Sequence, residues 1–81
     1  MEIKILGTGC PKCQALKKAA QEVVEKLGIE AKIIEVKEIE KIMQYPIMFT
    51  PALVVNEEVK FYGKVPPVDE IVRILEEEAS R

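Results

Sequence analysis

Apolar and polar positions recur with two different periods along this chain, and the switches between them mark seven elements. Residues 2–6 alternate as a strand does, with Ile3 and Ile5 on one face and Leu6 on the other. Lys4 is the odd member, readable as a solvated residue whose stem covers apolar surface or as a charge lying under the residues that follow. Over residues 11–27 the period lengthens. Leu16, Ala19, Ala20, Val23, Val24 and Leu27 return at three- and four-residue steps, which predicts an amphipathic helix. Glu22 and Lys26 form a favourable pair on its outer face, and Gly28 stands where a helix ends. Residues 31–36 read as a second strand, with Ala31 and Ile33 facing one way and Ile34 and Val36 the other. Strand, helix and strand in this order suggest parallel pairing through a right-handed crossover. A short helix is expected at about 38–44, with Ile39, Ile42 and Met43 at helical spacing and Pro46 as its stop.

The segment Pro46-Ile47-Met48-Phe49-Thr50-Pro51 breaks the pattern. It lies between elements yet is mostly apolar, whereas loops are normally polar. It is therefore either buried beneath a helix or a contact surface. Ala52–Val55 is a strand, 56–58 a turn, and 59–62 the returning strand of a hairpin ended by Gly63. Pro66 and Pro67 set the entry of a last helix over 67–79, with Val68, Ile71, Val72 and Leu75 as its buried stripe. Glu76, Glu77 and Glu78 crowd the end where the helix dipole disfavours acid, so fraying is expected there. The order is β-α-β-α-β-β-α: an α/β chain with one sheet, two parallel strands and an antiparallel hairpin, in a single domain spanning 1–81. Element order alone does not define a function.

Composition narrows the classes. With 81 residues, 48% of them hydrophobic, the chain has room for one core. A net charge of −2 without a basic block gives no footprint for nucleic acid. No apolar run nears the ~18 residues a membrane span needs. The start Met1-Glu2-Ile3-Lys4 reads as a strand rather than a signal peptide, so a cytoplasmic protein is expected. A monomer is also expected. Abundant Glu, Lys and Ile with Asn56 as the sole asparagine point to a thermophilic source. Without histidine there is no Cys–His nucleophile and no His-based metal site, and no cofactor is implied.

The chemistry concentrates in Gly7-Thr8-Gly9-Cys10-Pro11-Lys12-Cys13, which holds both cysteines where a strand ends and a helix begins. A disulfide closing so short a loop stabilises by roughly 2 kcal/mol at most, so the pair is a poor structural cross-link. The first helical turn, by contrast, has unpartnered N–H groups and partial positive charge, both of which favour thiolate. A thiol of pKa ~8.5 is about 3% ionised at pH 7, and one of pKa ~7 about half. Lys12 pushes the same way. Pro11 suits the first helical position, which places Cys10 at or beside the exposed N-cap. Cys13, three residues before Leu16, joins the buried face. These positions make Cys10 the attacking thiolate and Cys13 the resolving thiol. Gly7-Thr8-Gly9 lacks a phosphate-loop pattern and is read as letting the backbone turn beneath Cys10.

Strand, Cys-Pro-Lys-Cys, helix, then Thr50-Pro51 opening a strand, a hairpin, Gly63 and a final helix resemble the thioredoxin/glutaredoxin superfamily over essentially the whole chain. The likeness is narrowest to small archaeal and bacterial redox-active disulfide proteins of thioredoxin-like type. The resemblance implies a thioredoxin fold with a four-stranded mixed sheet in the order 2-1-3-4. It implies a cis bond before Pro51, which turns the Thr50 backbone toward an extended substrate. It further implies a substrate groove at Gly9, Phe49, Thr50, Pro51, Tyr62 and Gly63, and protein-disulfide oxidoreductase activity on protein disulfide substrates, recycled by a reductase of flavoprotein type. There are departures. Lys4 stands where thioredoxins have a buried acid, no tryptophan precedes Cys10, and Lys12 replaces the tyrosine usual in glutaredoxins. No glutathione site is recognisable.

Two alternatives remain on the sequence. A Cu(I) carrier also uses C-x-x-C after a first strand, but such chaperones end in a strand and this chain ends in a helix. A redox-inert interaction module would use the cysteines only for packing.

Overall fold

A computed structural model describes residues 1–9 and 11–80. Seven elements follow in the expected order: β1 (Glu2–Leu6), α1 (Pro11–Leu27), β2 (Lys32–Val36), α2 (Ile39–Ile42), β3 (Ala52–Val55), β4 (Glu58–Tyr62) and α3 (Val68–Ala79). The strands form one sheet in the order β2-β1-β3-β4, with β1 parallel to β2 and antiparallel to β3. The expected α/β architecture and the 2-1-3-4 sheet order therefore hold.

Alternation in β1 divides the core in two. Ile3 and Ile5 point to one face, where Leu53 and Val55 of β3 meet Leu16, Ala20 and Val23 of α1 and Ile71 and Leu75 of α3. Leu6 points to the other, with Ala52, Val54 and Ile42. Each Val, Leu or Ile among these, when fully buried, contributes roughly 1.5–3 kcal/mol relative to exposure. α1 ends as Gly28 predicts. Gly28 has φ +66°, its N–H donates to the Glu25 carbonyl (3.3 Å), and the Ile29 N–H donates to the Val24 carbonyl (3.2 Å). That pair of bonds satisfies carbonyls left open by the last turn.

The hairpin turn is two residues long, Asn56 and Glu57, both with positive φ (49° and 66°), and β4 begins one residue earlier than its pattern suggested. This is the conformation whose twist matches that of the flanking strands. Asn tolerates it; for Glu57 it costs about 1–2 kcal/mol. The Glu57 carboxylate is held in return by the Lys4 ammonium and the Tyr45 hydroxyl. Register then shifts: Val54 faces Val59 but Leu53 faces Phe61, leaving Lys60 as an extra residue in β4. This bulge puts Val59 against the α2-side core and Phe61 against the α1-side core.

Three local expectations change. The short helix is a single turn. The N–H groups of Gln44 and Tyr45 donate three residues back, tightening the chain ahead of Pro46, and Ile39 and Met43 are exposed. In α3 the buried stripe is Ile71, Leu75 and Glu78, while Val68 is exposed, so the last turn packs on the protein and the first projects. The expected fraying does not occur. Glu78 is only 7% exposed, accepts from Lys60 and from Asn56 Nδ2 (3.2 Å), and the Ser80 hydroxyl donates to the Glu76 carbonyl (2.9 Å). Partners from the hairpin outweigh the unfavourable dipole.

Lys4 is a tether. Its ammonium meets Tyr45 Oη (3.1 Å), Glu57 and Glu2 (3.5 Å). Glu57 lies in the turn beside Glu2, at the end of β1 away from the cysteines, because Ile3 pairs with Val55 and the Asn56 N–H donates to the Glu2 carbonyl. The charge therefore does not lie under the cysteine motif.

These pairs give stability a pH dependence. Hydrogen bonding to Lys4 holds the Glu57 carboxyl below its usual range, and Lys17, then Lys37, does the same for Glu35. A carboxyl with a lowered folded pKa stabilises fully above its unfolded value of about 4.5 and loses that contribution as pH falls through the folded value. The melting midpoint of wild type is expected to drop on acidification below that value. In Glu57→Gln the drop should be smaller; an equal drop would show that Glu57 is not linked to folding.

Candidate redox site

The site is assembled at the C-terminal end of β1. The ladder continues one residue past the strand, where the Gly7 N–H donates to the Val36 carbonyl (3.0 Å). Thr8 is exposed and Gly9 turns with φ +93°, a value that suits glycine. The helix α1 then starts at Pro11, whose fixed φ and missing N–H fit that position. Gln14 Nε2 donates to the Gly9 carbonyl (3.1 Å) and braces the turn. Pro11 and Lys12 are exposed, and the first turn carries no acidic residue. The expectation that Cys10 sits at or beside the N-cap lies outside the described residues.

Cys13 is 4% exposed and disulfide-bonded. Its neighbour is Gly7. A Cβ on Gly7 would stand 2.3 Å from Cys13 Sγ, 3.0 Å from Cys13 Cβ and 4.0 Å from Thr50 Cβ. Gly7 is not among the glycines of positive φ, so space rather than backbone freedom demands glycine there. This differs from the sequence reading of Gly7 as part of a turn beneath Cys10.

Thr50 is exposed and joined to buried Pro51 by a cis peptide bond. The Gly63 N–H donates to the Pro51 carbonyl (2.8 Å), and Gly63, with φ +80°, faces Phe49, whose Cβ would lie 3.4 Å from a Cβ at that glycine. Phe49, Thr50, Pro51 and Gly63 are thus gathered together. Tyr62 pairs with Ala52 across the hairpin and is not among the residues lining the groove beside Thr50. That groove is lined by Ile42, Met43, Ile47, Met48, Phe49 and Thr50. The apolar 46–51 segment divides between its two readings: Ile47 packs on the core beside Leu6 and Val54, whereas Met48 and Phe49 are 78% and 65% exposed. Sequence reasoning missed Met43 as a groove residue, placing it only at helical spacing with Ile39 and Ile42. It also missed the part Gly7 plays, and the only signal for that was the position of Gly7 at the end of a strand leading into the cysteines.

A strand leading into C-x-x-C at a helix start, facing a cis-proline loop across a 2-1-3-4 sheet, defines a thioredoxin-fold protein. The chain belongs to the thioredoxin domain family, whose model matches residues 1–76; this is a family of thiol–disulfide oxidoreductases. It is 43% identical over 75 residues to a thioredoxin of Methanothermobacter thermautotrophicus, covering 93% of this chain and 97% of that one. It is 39% identical over 69 residues to a thioredoxin of Methanocaldococcus jannaschii, covering 85% and 79%. Its fold matches the structure of thioredoxin 1 from the thermophilic eubacterium Thermosipho africanus at a TM-score of 0.65 and 18% identity, over 99% of this chain and 96% of that one. The final helix α3 also departs from the strand-terminated order of copper chaperones, so the metal-carrier alternative is not favoured.

Proposed function

We propose that the protein is a disulfide reductant in which Cys10 attacks and Cys13 resolves. The Cys10 thiolate attacks one sulfur of a substrate disulfide, forming a mixed disulfide and releasing the other sulfur as thiolate. The Cys13 thiolate then attacks Cys10 Sγ and releases the second substrate thiol. Two electrons pass to the substrate, and the Cys10–Cys13 disulfide remains. The observation that carries this reading is Cys13, disulfide-bonded and sheltered in the first turn of α1 against Gly7, which also neighbours Thr50. A sheltered sulfur suits the resolving step, which needs no contact with bulk substrate. Pro11 and Lys12 tune the pair, and Gly9, Thr50, Pro51, Phe49 and Gly63, with Tyr62 at the margin, shape the approach of an extended protein segment. The exposed Met43, Met48 and Phe49 offer adaptable apolar contact. The protein acts as a cytoplasmic monomer recycled by a flavoprotein reductase. Among the described residues no helix is long and apolar enough to cross a membrane.

The direct test is a redox titration in defined dithiol buffers with free thiols counted by mass. A reversible two-electron midpoint near about −270 mV is expected, as for thioredoxin-type reductants; one nearer about −120 to −200 mV would assign an oxidising or glutaredoxin-like role. Failure to form an intramolecular disulfide reversibly would overturn the reading.

A further inference from the structure

The charges around the site are not spread as the whole chain's are. Acidic residues outnumber basic ones 14 to 12, yet residues 11–21 carry Lys12, Lys17 and Lys18 and no acid. Helix starts ordinarily favour Asp and Glu, since these offset the dipole. α3 follows that rule with Asp69 and Glu70 in its first turn, whereas α1 has no acid in its own. The helix beginning at the cysteine motif therefore keeps its positive end uncompensated and adds lysines to it.

Those lysines do not simply decorate a solvated face. An open groove runs from Pro11 along Gln14, Lys17 and Lys18 to Glu35 and Lys37 at the end of β2. Glu35 lines it with a side chain 24% exposed, bound through one oxygen to Lys17 (2.7 Å) and through the other to Lys37 (3.1 Å). Both carboxylate oxygens are thus occupied. The lysines are more open than the acid they share, at 38% and 61%. Glu35 pins two ammonium groups in place and leaves the outward charge positive, and Lys18 adds to it. The groove starts at Pro11, which lies inside the cysteine motif and opens α1, so a segment lying in it would extend from a cystine engaged at the motif.

We propose that this lysine-lined groove binds an acidic segment flanking the target disulfide, so that the preferred substrates are proteins whose reducible cystine has Asp or Glu beside it. The proposal rests on the exchange reading above and names its substrate class. Complementary charge of this kind raises the association rate and sets register more than it deepens the bound state. Its effect should accordingly appear in kcat/KM and fade with salt.

The test uses three peptides with the same disulfide, flanked by Asp and Glu, by Ser and Gly, or by Lys, and the reduced protein at about 10 mM and about 1 M salt. Screening length falls from roughly 30 Å to roughly 3 Å between these conditions. At low salt the acidic peptide is expected to react about tenfold or more faster than the basic one, at the low end of electrostatic rate enhancements. The ratio should collapse toward one at high salt. In the double variant Lys18→Glu, Lys37→Glu the acidic-to-basic ratio should invert; because it is a ratio, loss of folded protein cancels. Equal rates for all three peptides, a basic preference in wild type, or a ratio unmoved in the variant overturns the groove assignment and leaves disulfide exchange standing. No reaction with even the neutral peptide overturns both.

Discussion

Replacement of Cys10 by serine is expected to reduce disulfide exchange to the uncatalysed rate, while replacement of Cys13 by serine should leave a reactive protein that accumulates mixed disulfides. The asymmetry follows from position. On the proposed reading the helix start and Lys12 favour ionisation of Cys10, and only thiolate attacks a disulfide. Serine ionises far above neutral pH and supplies no comparable nucleophile. Cys13 is sheltered at 4% exposure, so a substrate reaches it only after Cys10 has been engaged. Without Cys13 the first step proceeds and the second cannot. Mass spectrometry of each variant after incubation with a peptide disulfide separates the cases. A covalent adduct on Cys13→Ser and none on Cys10→Ser is the expected pattern; the reverse would exchange the two roles.

Gly7→Ala is expected to lower stability by about 1–3 kcal/mol, the usual cost of overpacking a core. For a domain of this size each kcal/mol corresponds to roughly 4–8 °C in melting midpoint. The reason is the 2.3 Å separation between a Cβ at Gly7 and Cys13 Sγ. The sulfur cannot swing away easily, since Cys13 is buried and bonded. Removing the sulfur should relieve part of the penalty, so in Gly7→Ala, Cys13→Ala the two substitutions should cost less than the sum of their separate effects. The relief is partial because the two Cβ atoms would still stand 3.0 Å apart. A Gly7→Ala protein that melts with wild type, or strictly additive costs, would show that Gly7 is not shaped by the cysteine.

Gly7 also shows where sequence reading stops. Its type was legible as part of the glycine-flanked motif, but glycine can answer either to backbone conformation or to space, and only contact distances separate these. Cys13 was legible because its three-residue offset from Leu16 assigns it to the buried face of α1. The helix expected at about 38–44 is shorter, Ile39–Ile42, because helical spacing does not reveal that the chain tightens into turns before Pro46. The last turn of α3 was misread for a similar reason: three glutamates at a helix end are unfavourable locally, and their compensation by Lys60 and Asn56 comes from a hairpin far away in the chain.

By itself the sequence determined the seven elements, their order, the faces of β1 and α1, and the cysteine motif at a strand–helix junction, because each is written in periods and spacings of neighbouring residues. The tertiary structure alone decided the rest: the bulge at Lys60 that sends Val59 and Phe61 to opposite cores, the tether of Lys4 away from the cysteines, the exposure of Met48 and Phe49 beside Thr50, and the pinning of two lysines by Glu35. Each depends on a partner brought close only by folding, and a pattern of local periodicity contains no information about which distant side chain will arrive.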